Sequence, residues 1–156
     1  MAESYSFYGW EKADLLPADE KYRNAGTPRE LYDTLSALWC AQTCAPRMRD
    51  RWTPDNRTMG QCSVTAFLAQ DIYGGEVYGI KRPDGNFHCY NAVGDVVFDL
   101  TSEQFGDEAR ELIYEGNPVQ ERQVHFAKEE KRLRYEYLKS LLEDALSDKE
   151  ERSCLY

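Results

Sequence analysis

Two apolar runs, Phe87 to Val93 and Val96 to Leu100, are separated only by Gly94-Asp95. A two-residue loop of this kind joins antiparallel strands through a tight turn, and glycine supplies the positive φ it needs. The loop also fixes the register. Opposed residues sum to 189 (94 + 95), which pairs Val93 with Val96, Asn91 with Phe98, Tyr90 with Asp99 and His88 with Thr101. Side chains alternate along a strand, so His88, Tyr90, Asp99 and Thr101 share one face. His88 and Asp99 are then diagonal neighbours, about 7–8 Å apart at the backbone and within reach for an imidazole and a carboxylate. A loop one residue longer would put them on opposite faces.

The chain before the hairpin supplies helices. Thr27-Pro28-Arg29-Glu30 is a capping box with proline at the first helical position, and Leu31, Leu35, Leu38 and Trp39 recur at helical spacing. A helix from Thr27 to about Cys44 is expected. Pro46 and Pro54 bracket a polar loop, 45–60. Val64, Phe67, Leu68 and Ile72 give a second helix its apolar face from about Gln61 to Tyr73, and Gly74-Gly75 stops it. Glu76 to Lys81 reads as a strand, followed by the turn Pro83-Asp84-Gly85. Downstream, Thr101-Ser102-Glu103-Gln104 reads as another capping box, opening a helix to about Tyr114. A long charged helix is expected over roughly 120–146, with Phe126, Leu133, Tyr137, Leu138, Leu141, Leu142 and Ala145 on its apolar side.

This pattern is α+β: a small antiparallel sheet packed on a central helix, with flanking helices and a long C-terminal helix. At 156 residues it fits a single domain. Residues 1–26 form an irregular arm held by Tyr5, Phe7, Tyr8 and Trp10. Residues 27–118 form the core, and 119–156 the C-terminal helix and tail.

Cys62 falls where the loop 45–60 enters the second helix. There a thiol meets the positive end of the helix dipole and the free N–H groups of the first turn, which favour thiolate. Thiolate is the form that attacks a carbonyl carbon. With His88 and Asp99 on adjacent strands, the set is expected to act as nucleophile, base and orienting group. The Cys62 backbone N–H and the Gln61 side chain are candidate donors to the oxyanion. Trp52 is a candidate wall of the cleft, and Tyr90 a candidate partner for Asp99. The plain alternative for Cys62 is a small buried hydrophobe. A redox-sensing thiol is a further alternative, with Cys89 as its resolving partner. Parity sets Cys89 on the face opposite His88, which counts against it.

The motifs from Trp52-Thr53-Pro54-Asp55-Asn56 through Gly60-Gln61-Cys62-Ser63-Val64-Thr65-Ala66, then Gln70-Asp71 and Gly74-Gly75-Glu76, resemble the small bacterial YunG-like family. His88-Cys89-Tyr90-Asn91 and Asp99-Leu100-Thr101-Ser102-Glu103-Gln104-Phe105 continue the likeness, which spans roughly residues 30–140. The motif order in turn looks like the papain-like and transglutaminase-like (NlpC-type) cysteine enzymes. That resemblance implies a papain-like fold with Cys62 as nucleophile, His88 as base and Asp99 as orienting group. It implies a cysteine hydrolase or acyltransferase that works on an amide, thioester or isopeptide bond. A non-enzymatic binding protein on the same fold is the alternative.

A net charge of −9 disfavours nucleic acid and anionic membrane as partners. The expected partner is an acyl or peptide-like substrate, and a homo-oligomer is also compatible with the sequence. No apolar run approaches the ~20 residues that span a bilayer. Met1-Ala2-Glu3-Ser4-Tyr5 lacks a secretory pattern, and the five cysteines are an odd number, so free thiols and a cytoplasmic location are expected. Cys40 and Cys44 lie four apart without two further ligands, so no metal and no cofactor is expected. His125, at the start of the charged helix, reads as solvated.

Overall fold

The computed structural model describes residues 5–154, with side chains as far as residue 150. Its centre is an antiparallel three-stranded sheet in the order β1-β2-β3, comprising Glu76–Lys81, Phe87–Val93 and Val96–Phe98. Val93 pairs with Val96 and Asn91 with Phe98, so the two-residue loop and its register are as expected. The third strand ends two residues early. From Asp99 onward its partner is the N-terminal arm, through an isolated bridge to Tyr8 in which the Asp99 N–H donates to the Tyr8 carbonyl at 3.0 Å.

Helix α1 (Pro28–Ser36) starts at the expected capping box, with the Thr27 side chain accepting from the Glu30 N–H and Glu30 answering the Thr27 backbone. It stops well before Cys44. Ser36 and Thr34 turn their hydroxyls back onto the Tyr32 and Glu30 carbonyls, and Thr43 both accepts from the Cys40 N–H and donates to the Cys40 carbonyl. These local bonds compete with the helical ladder. Trp39 therefore lies beyond the helix, buried, with its indole N–H on Thr65 Oγ1 at 2.9 Å.

Helix α2 (Cys62–Tyr73) is buried along most of its length and packs on β2, where Asn91 donates to the Ala66 carbonyl at 2.8 Å. Its other side meets the C-terminal segment, which is two helices: α3 (Arg122–Phe126) and α4 (Glu129–Cys154). Arg122 opens α3. Its guanidinium bonds the Phe67 carbonyl, Gln70 and Asp71 of α2, which ties the start of α3 to that helix. The core face of α4 is Tyr135, Leu138, Leu142 and Leu146, whereas Leu133 and Tyr137 are 50% and 43% exposed.

Residues 102–111 form 3₁₀ turns, kinked at Gly106, in place of the expected α-helix. No side chain caps them: the Thr101 N–H and hydroxyl both turn onto Asp99 Oδ1. The arm packs as expected by its aromatics: Phe7 is fully buried, with Tyr5, Trp10 and Tyr32 around it. One buried cluster runs from Phe7 through α1, α2 and the sheet to Leu146. Among the described residues, no helix is long and apolar enough to cross a membrane.

Candidate active site

The approach to Cys62 is set by Gly60, whose φ is +70°, a conformation that costs a non-glycine residue energy. A Cβ there would also lie 2.5 Å from Cys44 Sγ. Gly60 accepts from the Ala45 N–H at 2.9 Å, which closes the loop before the helix. Gln61 then opens α2 without a side-chain cap. The first-turn N–H groups beside Cys62 are thus available to a negative charge. Cys62 itself is partly exposed, and its sulfur lies 3.9 Å from the Phe87 carbonyl, a weak hold on the thiol proton.

The structure brings Cys62, His88 and Asp99 together. His88 Nε2 is 2.6 Å from Asp99 Oδ2, with the two side chains 2% and 1% exposed. Asp99 is itself held: the Thr101 N–H donates to Oδ1 at 3.1 Å, and the Tyr114 hydroxyl to Oδ2 at 2.7 Å. Burial alone would lower the His88 pKa, but Asp99 outweighs it, Cys62 adds to the effect, and the value rises to about 10. With Nε2 engaged by Asp99, Nδ1 is the nitrogen left for the thiol.

Hydrogen bonding from the Cys89 thiol holds the Cys62 pKa well below the usual thiol range; burial opposes this, and His88 adds a hydrogen bond and its charge. The same contact, with burial, pushes Cys89 well up. Parity does place Cys89 opposite His88, facing α2. Cys62, at the end of that helix, nevertheless interacts with both, so the expected separation of Cys89 from the thiol does not hold. On this side the Lys131 ammonium, half-buried on α4, donates to His125 Nδ1 at 2.9 Å, and His125 packs on Phe67. His125 is therefore not solvated. Burial, with Lys131 adding, lowers its pKa to about 4.

The chain matches the family described as "YunG protein" over residues 27–147. It belongs to the YunG family. A relative from Bacillus subtilis (strain 168), described as "Uncharacterized protein YunG", is 41% identical over 64 residues, which is 41% of this chain. The match spans about half (55%) of that relative's length. No solved structure matches. The family match begins at Thr27, so the arm that bridges Asp99 lies outside it.

In this YunG family member the other expected site residues are placed as follows. Gln61 is fully buried, and its amide donates to the Cys40 carbonyl at 3.0 Å, away from any oxyanion position. Its Oε1 has no hydrogen-bond partner among the described residues. Trp52 ties its own loop, its indole N–H on the Arg57 carbonyl at 2.9 Å. Tyr90 is buried, but its hydroxyl accepts from Asn117; the tyrosine on Asp99 is Tyr114, stacked on Tyr8 with centroids 3.8 Å apart. A cleft of about 590 Å³ does open nearby, with Trp39, Tyr32, Asn56, Thr58, Gln104 and Phe105 in its lining and Trp52 outside it. Two of these touch His88: Phe105 edge-on at 4.7 Å, and Gln104 Nε2 at 3.2 Å from Nδ1. Among the described residues no group of three or more His, Cys, Asp or Glu side chains is placed to hold a metal ion.

Proposed function

We propose that this YunG family member is a papain-like cysteine hydrolase or acyltransferase that acts on an amide, thioester or isopeptide carbonyl. The observation that carries the reading is the buried 2.6 Å His88–Asp99 contact, with its ring beside a thiol held toward thiolate. The Cys62 thiol gives its proton to His88 Nδ1, and Sγ attacks the carbonyl carbon. Asp99 holds the Nε2–H and stabilises the imidazolium. Collapse of the tetrahedral intermediate breaks the bond to the leaving amine or thiol, which takes the proton back from His88. Water or a second acceptor then attacks the acyl-Cys62 thioester, giving its proton to His88, and the thiol is restored. The acyl or peptide-like group reaches the site from the cleft beside Gln104 and Phe105.

The test is to incubate the protein with activated esters and acyl thioesters and to read the Cys62 peptide by mass spectrometry, with Cys62→Ala as control. Acyl adducts confined to Cys62 are expected. A wild-type protein that forms none across the panel while still alkylating with iodoacetamide contradicts the reading.

A second reading, an interaction module on the same fold, draws on Leu133 and Tyr137, one turn apart and about half exposed on α4. Self-association through that stripe would appear as a dimer in sedimentation that Leu133→Glu dissolves. A cytoplasmic setting is supported by Cys40, Cys44, Cys62 and Cys89, all free thiols.

A further inference from the structure

Gln104 touches both the nucleophile's loop and the base. The Gly60 N–H donates to its Oε1 at 3.2 Å, and its Nε2 lies 3.2 Å from His88 Nδ1. A backbone N–H can only donate, so the carboxamide oxygen must face Gly60 and the NH₂ must face the ring. In the neutral ring Nδ1 is therefore the acceptor, and Nε2 carries the hydrogen bonded to Asp99. The Gln104 carboxamide thus meets the ring atom that, with Nε2 on Asp99, is left for the thiol. In the thiolate–imidazolium pair that the lowered Cys62 and raised His88 pKa values favour, Nδ1 carries the proton and cannot accept. The Gln104 N–H, on a residue only 8% exposed, is then left without a partner on the ring, beside the imidazolium and on the wall of the cleft.

We infer that Gln104 is the oxyanion donor of this site: its Nε2–H, held next to His88 Nδ1, donates to the substrate's carbonyl oxygen as that oxygen becomes negative. The inference rests on the proposed acyl-transfer chemistry. It assigns to Gln104 the role that the Gln61 amide, engaged with Cys40, is not placed to play. In the thiolate–imidazolium pair the donor is already free, so it is in place for the oxyanion before the carbonyl arrives. No covalent bond to Gln104 forms or breaks. One hydrogen bond forms, to the oxyanion, and the thiol proton remains on His88 until the leaving group takes it. The matching substrate is an acyl group whose carbonyl oxygen enters from the cleft lined by Trp39 and Phe105.

Two probes separate this role from thiol ionisation and from folding. Acylation of Cys62 by p-nitrophenyl acetate passes through an oxyanion; alkylation by iodoacetamide does not. The ratio of the two rates cancels the thiolate fraction. Gln104→Met removes the donor at similar size, and Gln104→Glu keeps an acceptor for Gly60 while placing an oxygen where the NH₂ stood. Both variants are expected to lower the acylation-to-alkylation ratio by about 100–1,000-fold. A ratio within a few-fold of wild type in either folded variant overturns the assignment while leaving the acyl-transfer reading intact. A wild-type protein that alkylates but is never acylated overturns both.

Discussion

His88 Nε2 and Asp99 Oδ2 lie 2.6 Å apart in a pocket that leaves neither side chain more than 2% exposed. A buried pair of this kind is costly to break from one side, because the remaining group loses both water and partner. Asp99→Asn is therefore expected to destabilise the protein by about 3–5 kcal/mol, as read by urea unfolding. Cys62 in that variant should also need a higher pH to label, since the imidazolium has lost its counter-charge. An unchanged labelling profile would remove Asp99 from the site.

Tyr114 makes a more modest contribution to the same carboxylate. Tyr114→Phe deletes one hydrogen bond to a charged acceptor and keeps the stack on Tyr8, so a loss of about 1.5–3 kcal/mol is expected. Urea unfolding measures it directly. A neutral result would mean that Thr101 alone suffices to hold Asp99.

The arm is expected to matter although it lies outside the family match. Phe7 is fully buried, and the next residue bonds Asp99 through its backbone. Phe7→Ala should cost about 3–5 kcal/mol. It should also quicken hydrogen exchange at the Asp99 amide, which distinguishes a tethered arm from a passive one.

His125 gives a pH signature on the other side of the thiol. Its pKa falls to about 4 in the folded protein from 6.5, because burial and Lys131, with Lys128 also facing it, disfavour the charged ring, while Cys62 favours it. The unfolded chain therefore binds the proton first. The contribution is fully present above about 6.5 and is lost as pH falls through about 4, with a slope of at most about 1.4 kcal/mol per pH unit. Stability measured across that window should fall less steeply in His125→Gln. Parallel curves would place His125 in water.

The sequence was most informative where local chemistry decides the structure. Gly94-Asp95 determines a register without tertiary help, and that register puts His88 and Asp99 on one face. Gly74-Gly75 likewise ends α2 at Tyr73. Other features depend on contacts distant in sequence. Thr101-Ser102-Glu103-Gln104 has the residues of a capping box, but Gln104 finds better partners in Gly60 and His88, and no capping motif can signal that. Tyr114 meets Asp99 across a stretch of chain that is kinked at Gly106. The C-terminal segment breaks between Phe126 and Glu129, just after Arg122 meets α2, and Leu133 and Tyr137 lie off the core. Cys89 shows the limit of strand parity, which assigns faces within a sheet but not which residues a helix end can touch.

The most direct test is the pH dependence of iodoacetamide labelling at Cys62, read by peptide mass spectrometry in wild type, His88→Ala and the bulkier His88→Gln. The expected result is a midpoint well below the free-thiol value of about 8.5 that moves upward in both variants. A thiol that is inert, or that titrates alike in all three proteins, would contradict a Cys62–His88 pair and leave Cys62 as a packing residue.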